Sequence, residues 1–119
     1  MERATADKHL LIHAYGETSE ALSVALRTAR NAAHEFGPEV GIHIIVQGPG
    51  VEHLTAESGF AREIRETVAS DSIEVAACSN SLAAVGVDKS QLADAVGSVP
   101  SAVAYLAQKQ WEGWAYVRF

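Results

Sequence analysis

One thiol and five imidazoles are the side chains here best suited to covalent or proton-transfer chemistry. Cys78 is the single cysteine, and it sits in the stretch SIEVAACSNSLAAVG, residues 72–86. The residues before it have the apolar, β-branched character of a strand, and those after it read as the start of a helix. A helix start offers unpaired backbone N–H groups and the positive end of the helix dipole, and both favour a thiolate over a thiol. Ser79 and Asn80 follow directly and can donate hydrogen bonds to the sulfur. Such a cysteine is a candidate nucleophile; equally, cysteine is among the most buried residue types and often only fills space. Position alone leaves both roles open.

The histidines at 9, 13, 34, 43 and 53 divide by location. His34 falls near the end of a helical stretch, where a cation complements the dipole. His43 lies inside a strand and is expected to pack there, and His9 is near a strand start. His13 and His53 lie where strands give way to loops, so either can deprotonate a thiol or orient a ligand. His53 has a plainer reading as a surface loop residue. His13, His53 and Cys78 are acceptable metal ligands by type, but they come from different loops with no local ligand spacing, so no metal site is expected. The segment QGPGVEH, residues 47–53, matches neither phosphate-loop nor dinucleotide fingerprint. Pro49 fixes a turn between Gly48 and Gly50 and removes one amide donor, yet these glycines can still bring backbone close to a small ligand.

The elements that would position these groups alternate regularly. KHLLIHAY (8–15) is a short apolar run without helical period, a buried strand. The next stretch places Leu22, Ala25, Leu26, Ala29, Ala33 and Phe36 on one helical face, with Thr18 or Ser19 as cap and Gly37-Pro38 as stop. EVGIHIIVQG (39–48) is a second strand, GPGVEHL a loop, and Phe60, Ala61, Ile64 and Val68 mark a second helix. SIEVAAC is a third strand; SNSLAAVG is one or two helical turns ended by Gly86. Asp88 and Gln91 form a capping pair for a further short helix. A very short fourth strand in VGSVP leads to a last helix with Pro100 at its first position and Val99, Val103, Leu106 and Gln110 along one side. GWAYVRF ends the chain as a fifth strand, whose rings at Trp114, Tyr116 and Phe119 are expected to pack on that helix or to form an edge or subunit contact. Alternation of this kind predicts a three-layer α/β/α sandwich, a single domain over 1–119 around a five-stranded, mainly parallel sheet. Ligands of open α/β sheets bind beyond the carboxyl ends of the strands, which is where His13, Gly48, Gly50, His53, Cys78, Ser79 and Asn80 fall.

Composition narrows the partners. A net charge of −6 and a pI near 5.2 argue against nucleic acid or an anionic membrane surface. The opening MERATADKHL mixes charges and has no apolar run of a signal peptide, and no stretch reaches the roughly 20 apolar residues of a membrane span. A lone cysteine with no Cys-x-x-Cys fits a reducing cytoplasm. No cofactor motif is present.

The segments IHIIVQGPGVEHL, EVAACSNSLAAVGV and VGSVPSAVAYLAQKQWEGWAYVRF, in that order after the first strand and its helix, resemble the DsrE/DsrF-like (YchN-like) family, especially its small stand-alone members. The resemblance implies the same α/β/α fold and assembly into trimers or hexamers. It also implies a place in sulfur relays, where a cysteine after the third strand carries a persulfide from a donor protein to an acceptor; Cys78 matches it by position. The other reading the sequence supports is a non-catalytic oligomeric module that binds a small ligand or a protein at the same rim.

Overall fold

Five apolar, β-branched runs pair into one sheet, and the helices between them cover its two faces unequally. The computed structural model describes residues 8–70 and 72–119; the charge-mixed opening, residues 1–7, lies outside the described residues. The strands are β1 (Lys8–Tyr15), β2 (Val40–Gln47), β3 (Ile73–Cys78), β4 (Val96–Val99) and β5 (Ala115–Arg118). The helices are α1 (Glu20–Phe36), α2 (Ala61–Val68), α3 (Ser79–Val85) and α4 (Ala102–Trp111). Short 3-10 helices occupy Pro49–Leu54, expected as plain loop, and Lys89–Gln91, where Asp88 and Gln91 form the expected capping box.

The strand order is β4-β3-β2-β1-β5, and every pairing is parallel. From β1 outward to β4 the connections stay on one face. Their side chains meet in the larger core, with Leu22, Ala25, Leu26 and Ala29 of α1, Ile64 of α2 and Leu82 of α3 against Ile12, Ile44 and Val75. The return from β4 to β5, beside β1, runs in the opposite direction across the sheet. A right-handed crossover then requires the opposite face, and α4 lies there. It buries Ala102 and Leu106 against Leu11, Ile45, Cys78 and Val99 in a second, smaller core.

Local chemistry sets the element ends. Gly37 closes α1 at φ +79 and returns its amide to the Ala33 carbonyl; Gly86 closes α3 in the left-handed region at φ +74. Thr18 Oγ1 accepts from the Glu20 amide at 3.3 Å, whereas Ser19 at the N-cap position makes no side-chain cap bond. Two expectations need correction. Pro100 is not the first residue of α4: Ser101 is the N-cap, accepting from the Ala104 amide at 3.3 Å, and the helix begins at Ala102. A hydroxyl that can take an orphan amide outcompetes proline's fixed φ as the start signal. The apolar faces were also read one turn too long or one residue off. Phe36 and Val103 are 54% and 66% exposed, while Tyr105, on the α4 side facing the sheet, is half-buried.

Candidate functional site

The path of the chain singles out one place on the sheet rim. Strand β3 is followed by a helix on the larger-core face and β4 by a helix on the other, so β3 and β4 flank the switch point where ligands of open α/β sheets bind. Cys78 ends β3 at this point and pairs in register with Val99, the end of β4. It is also the N-cap residue of α3, with extended φ −72 and ψ 120. The helix starts on either side therefore both lie beside its sulfur.

No conventional cap bond closes on Cys78. The Ser81 hydroxyl and the backbone N–H groups of Ser81, Ala102 and Asn80 favour its charged form. Burial pushes the thiol up, but these donors together outweigh it and hold the group below the ordinary thiol value. Two of the amides come from α3 and one from α4. Cys78 itself is only 2% exposed.

Ser81 ties this cradle to the neighbouring loop. Its Oγ accepts from the Gly48 amide at 2.9 Å. Gly48 sits at φ +86 and ψ −173, a region essentially confined to glycine. A Cβ there would come within 3.1 Å of the Gly16 carbonyl oxygen. Gly50 is buried and donates to that same oxygen at 3.1 Å. Both glycine amides are thus used inside the fold, and the glycines shape the rim by packing the 48–50 turn onto residues 16–18.

The remaining sequence candidates separate. Ser79, the first residue of α3, has a buried Oγ with no hydrogen-bond partner among the described residues. Asn80 is exposed and contributes its backbone amide. His53 lies in the 3-10 helix whose Val51 and Leu54 enter the larger core, and its ring rests edge-on against Phe60 at 5.7 Å. Cys78 is buried on the opposite face of the sheet. His13 shares the Cys78 face but lies two strands away, about 10 Å by strand spacing alone. Its Nε2 meets Gln47 Oε1 and its Nδ1 meets Tyr116 Oη, each at 2.8 Å. Burial chiefly lowers the His13 pKa, the Gln47 bond opposes this, and the Arg118 charge lowers it further. A neutral ring donating from Nε2 and accepting at Nδ1 satisfies both partners. Neither histidine is placed to take a proton from Cys78, which corrects the expectation of a nearby base.

Sequence reasoning missed Ser81 and Ala102. Ser81 carried a local signal, since it stands three residues after an N-cap, the spacing at which capping pairs meet. Ala102 carried none, because its approach depends on α4 crossing to the other face.

A groove of about 320 Å³ runs along β3 and β4, lined by His43, Glu74, Ala76, Gly97, Val99 and Tyr105 and also by Val68, Ile73 and Val75 of the larger-core side. Tyr105 Oη lies 2.7 Å from His43 Nδ1. Burial, with the Glu74 and Glu112 charges, pushes Tyr105 up to about 12, so it stays a hydroxyl beside the ring. Trp114 crosses His43 edge-on at 4.7 Å and stacks on His9 at 4.0 Å. The C-terminal rings therefore pack on sheet histidines as much as on α4. Among the described residues there is no cluster of three metal-ligating side chains, and no helix is long and apolar enough to cross a membrane.

The model of the DsrE/DsrF-like family matches residues 8–119. The chain belongs to the DsrE/DsrF-like family. Its fold is likewise shared by solved structures of similar length. A protein of unknown function, MTH1491 from Methanobacterium thermoautotrophicum, superposes with a TM-score of 0.85 at 27% identity, covering 95% of this chain and 100% of that one. The ychN protein of E. coli gives 0.77 at 19% identity, with 94% and 99% covered. BT1422 of Bacteroides thetaiotaomicron, a conserved protein of unknown function, gives 0.74 at 18% identity, with 99% and 100% covered. The last two likenesses concern the fold alone. No curated protein matches the chain by sequence.

Proposed function

We propose that this DsrE/DsrF-like chain is a cytoplasmic sulfur carrier that holds one sulfur as a persulfide on Cys78. The observation that carries the reading is the place of the only thiol at the switch point of the sheet, at the N-cap of α3 and in register with the end of β4, where nearby donors hold it below the ordinary thiol value. Such a cradle generates the nucleophile without a neighbouring base, because it stabilises the thiolate directly. In the forward step the Cys78 thiolate attacks the outer sulfur of a donor persulfide. A new S–S bond forms on Cys78, the donor's S–S bond breaks, and its electron pair leaves on the donor thiolate. Transfer to an acceptor thiolate is the same exchange in reverse, with no net oxidation. A second cysteine is not required, and the chain has none. The added sulfur extends the side chain by one S–S bond, about 2 Å, which carries the reactive atom outward from a nearly buried position. Ser79, whose hydroxyl lacks a partner among the described residues, and the exposed Asn80 follow Cys78 directly in the chain.

The carrier acts as a single domain assembled into a trimer or hexamer. Trp111 and Val103, 82% and 66% exposed on α4, are apolar surface that such assembly has reason to cover. Donor and acceptor proteins are the partners this chemistry needs.

The test is incubation with a sulfane-sulfur donor followed by intact mass. The carrier reading expects a species heavier by one sulfur, removed by a thiol reductant and absent from Cys78→Ser. A second reading, a non-catalytic module that binds a small ligand, is favoured by the 2% exposure of Cys78 and by the groove beside Val99. It expects no sulfur uptake by the folded wild-type chain, and ligand binding that survives Cys78→Ser unchanged.

A further inference from the structure

Strand β5 is the edge of the sheet beside β1, and every one of its residues is exposed. The Phe119 amide donates to the His13 carbonyl at 2.8 Å, and the Phe119 carbonyl accepts from the Tyr15 amide at 3.2 Å. In a parallel ladder alternate residues bond to the same neighbour, so Ala115 and Val117 turn their backbone groups to β1 as well. Tyr116 and Arg118 therefore present N–H and C=O groups along the open edge. Side chains alternate with them. Tyr116 lies on the α4 face, where its hydroxyl meets His13 at 2.8 Å. Ala115, Val117 and Phe119 lie on the other face, where with Leu10, Phe36 and Val40 they line an open groove of about 690 Å³ between β5 and α1. Natural sheets guard such an edge with charge, proline or a covering element. β5 has no proline, and its one charge, Arg118, is held over the Tyr15 ring of β1 at 5.4 Å.

We infer that β5 pairs antiparallel with β5 of a second copy about a two-fold axis through Val117, joining two five-stranded sheets edge to edge. Charge and register choose this centre. It engages the outward groups of both Tyr116 and Arg118 in each copy, and it sets Arg118 opposite the partner's Tyr116, a cation beside a ring. Centring on Arg118 would instead bring two guanidinium groups face to face. On the groove side Val117 meets the partner's Val117. The partner's Phe119 lies opposite Ala115, at the end of the groove that Leu10, Phe36 and Val40 line. Such a self-complementary contact exists in a hexamer made of two trimers and not in a trimer, and it leaves the exposed Val103 and Trp111 of α4 for the three-fold contact. The inference stands apart from the sulfur chemistry but bears on it. The two Cys78 rims would be seven strand spacings apart, roughly 30 Å, at opposite ends of the joined sheet. Sulfur is then not handed between copies across this contact.

The experiment places single cysteines on β5 of the full-length chain, with Cys78→Ser so that no other thiol is present. Val117 faces its own copy as a non-hydrogen-bonded pair, with Cα atoms about 4.5 Å apart, within disulfide reach. Mild oxidation of Val117→Cys at micromolar concentration should convert most of the chain to covalent dimer. Ala115→Cys alone should not cross-link, since its copies lie about 14 Å apart along the strands, but co-expressed with Phe119→Cys it should give the mixed dimer. Arg118→Pro removes an outward amide, a change that edge strands tolerate, and should halve the mass measured by sedimentation equilibrium. Val117→Cys that stays uncross-linked, or Ala115→Cys that cross-links as readily, overturns the inference. A trimer without the cross-link does so too and leaves the trimer or hexamer reading standing. Register-specific cross-linking in a species no larger than a dimer keeps the inference and removes that reading. Should Arg118→Pro fail to fold, the cross-linking pattern decides alone.

Discussion

Burial holds His13 neutral in the folded chain, and that has a direct consequence for stability. The unfolded chain takes up a proton at His13 as pH falls below the ordinary value of 6.5, while the folded chain resists until its own lower pKa is reached. His13 therefore disfavours folding progressively as pH drops below 6.5, and the effect is absent above it. In urea unfolding at pH 7.5 and pH 5.5, the stability advantage of wild type over His13→Gln should narrow at the lower pH. An advantage that is constant or grows would contradict this. The same residue shows what types and spacing reveal. That His13 lay on the carboxyl rim was legible from its place at the end of an apolar run. Its pairing with Gln47 and Tyr116 was not, because those contacts cross strands whose order the sequence did not state.

At the scale of elements, the two faces of the sheet carry unequal loads. Three helices and a 3-10 helix build the larger core, while α4 alone closes the smaller one through Ala102, Leu106 and Tyr105. Leu106→Ala should cost about 2–5 kcal/mol, the usual range for a buried leucine, and should also disturb the Ala102 amide beside Cys78. Chemical denaturation and the thiol titration of the folded variant check the two effects together. Gly48→Ala should destabilise by about 1–3 kcal/mol through its backbone conformation, with the clash against the Gly16 carbonyl adding to it. Thermal unfolding measures this, and a neutral effect would mean that the turn is not held as described. The strands and most helix boundaries were legible because period, glycine stops and capping residues act locally. The start of α4 was misread because proline and serine, adjacent in sequence, both signal a helix start, and the hydroxyl cap decided it.

At the scale of the whole molecule, function depends on the order in which the strands are laid down. The parallel α/β architecture follows from alternation, and the membership of the DsrE/DsrF-like family was legible in a few segments. The face taken by α4 follows from the reversal of chain direction between β4 and β5, and only that reversal brings a second helix start to Cys78. Sedimentation equilibrium should find a trimer or hexamer; a monomer at high concentration would leave Val103 and Trp111 exposed without a partner copy.

The most direct measurement is the pH dependence of Cys78 alkylation by a small reagent on the native protein. Its absolute rate reports access, which 2% exposure keeps low, while its midpoint reports the cradle. The expected midpoint lies below that of an ordinary thiol, and unfolding should return it to the ordinary value. A native midpoint at or above the ordinary thiol value would contradict a thiolate stabilised between two helix starts, and with it the assignment of Cys78 as the sulfur-carrying group.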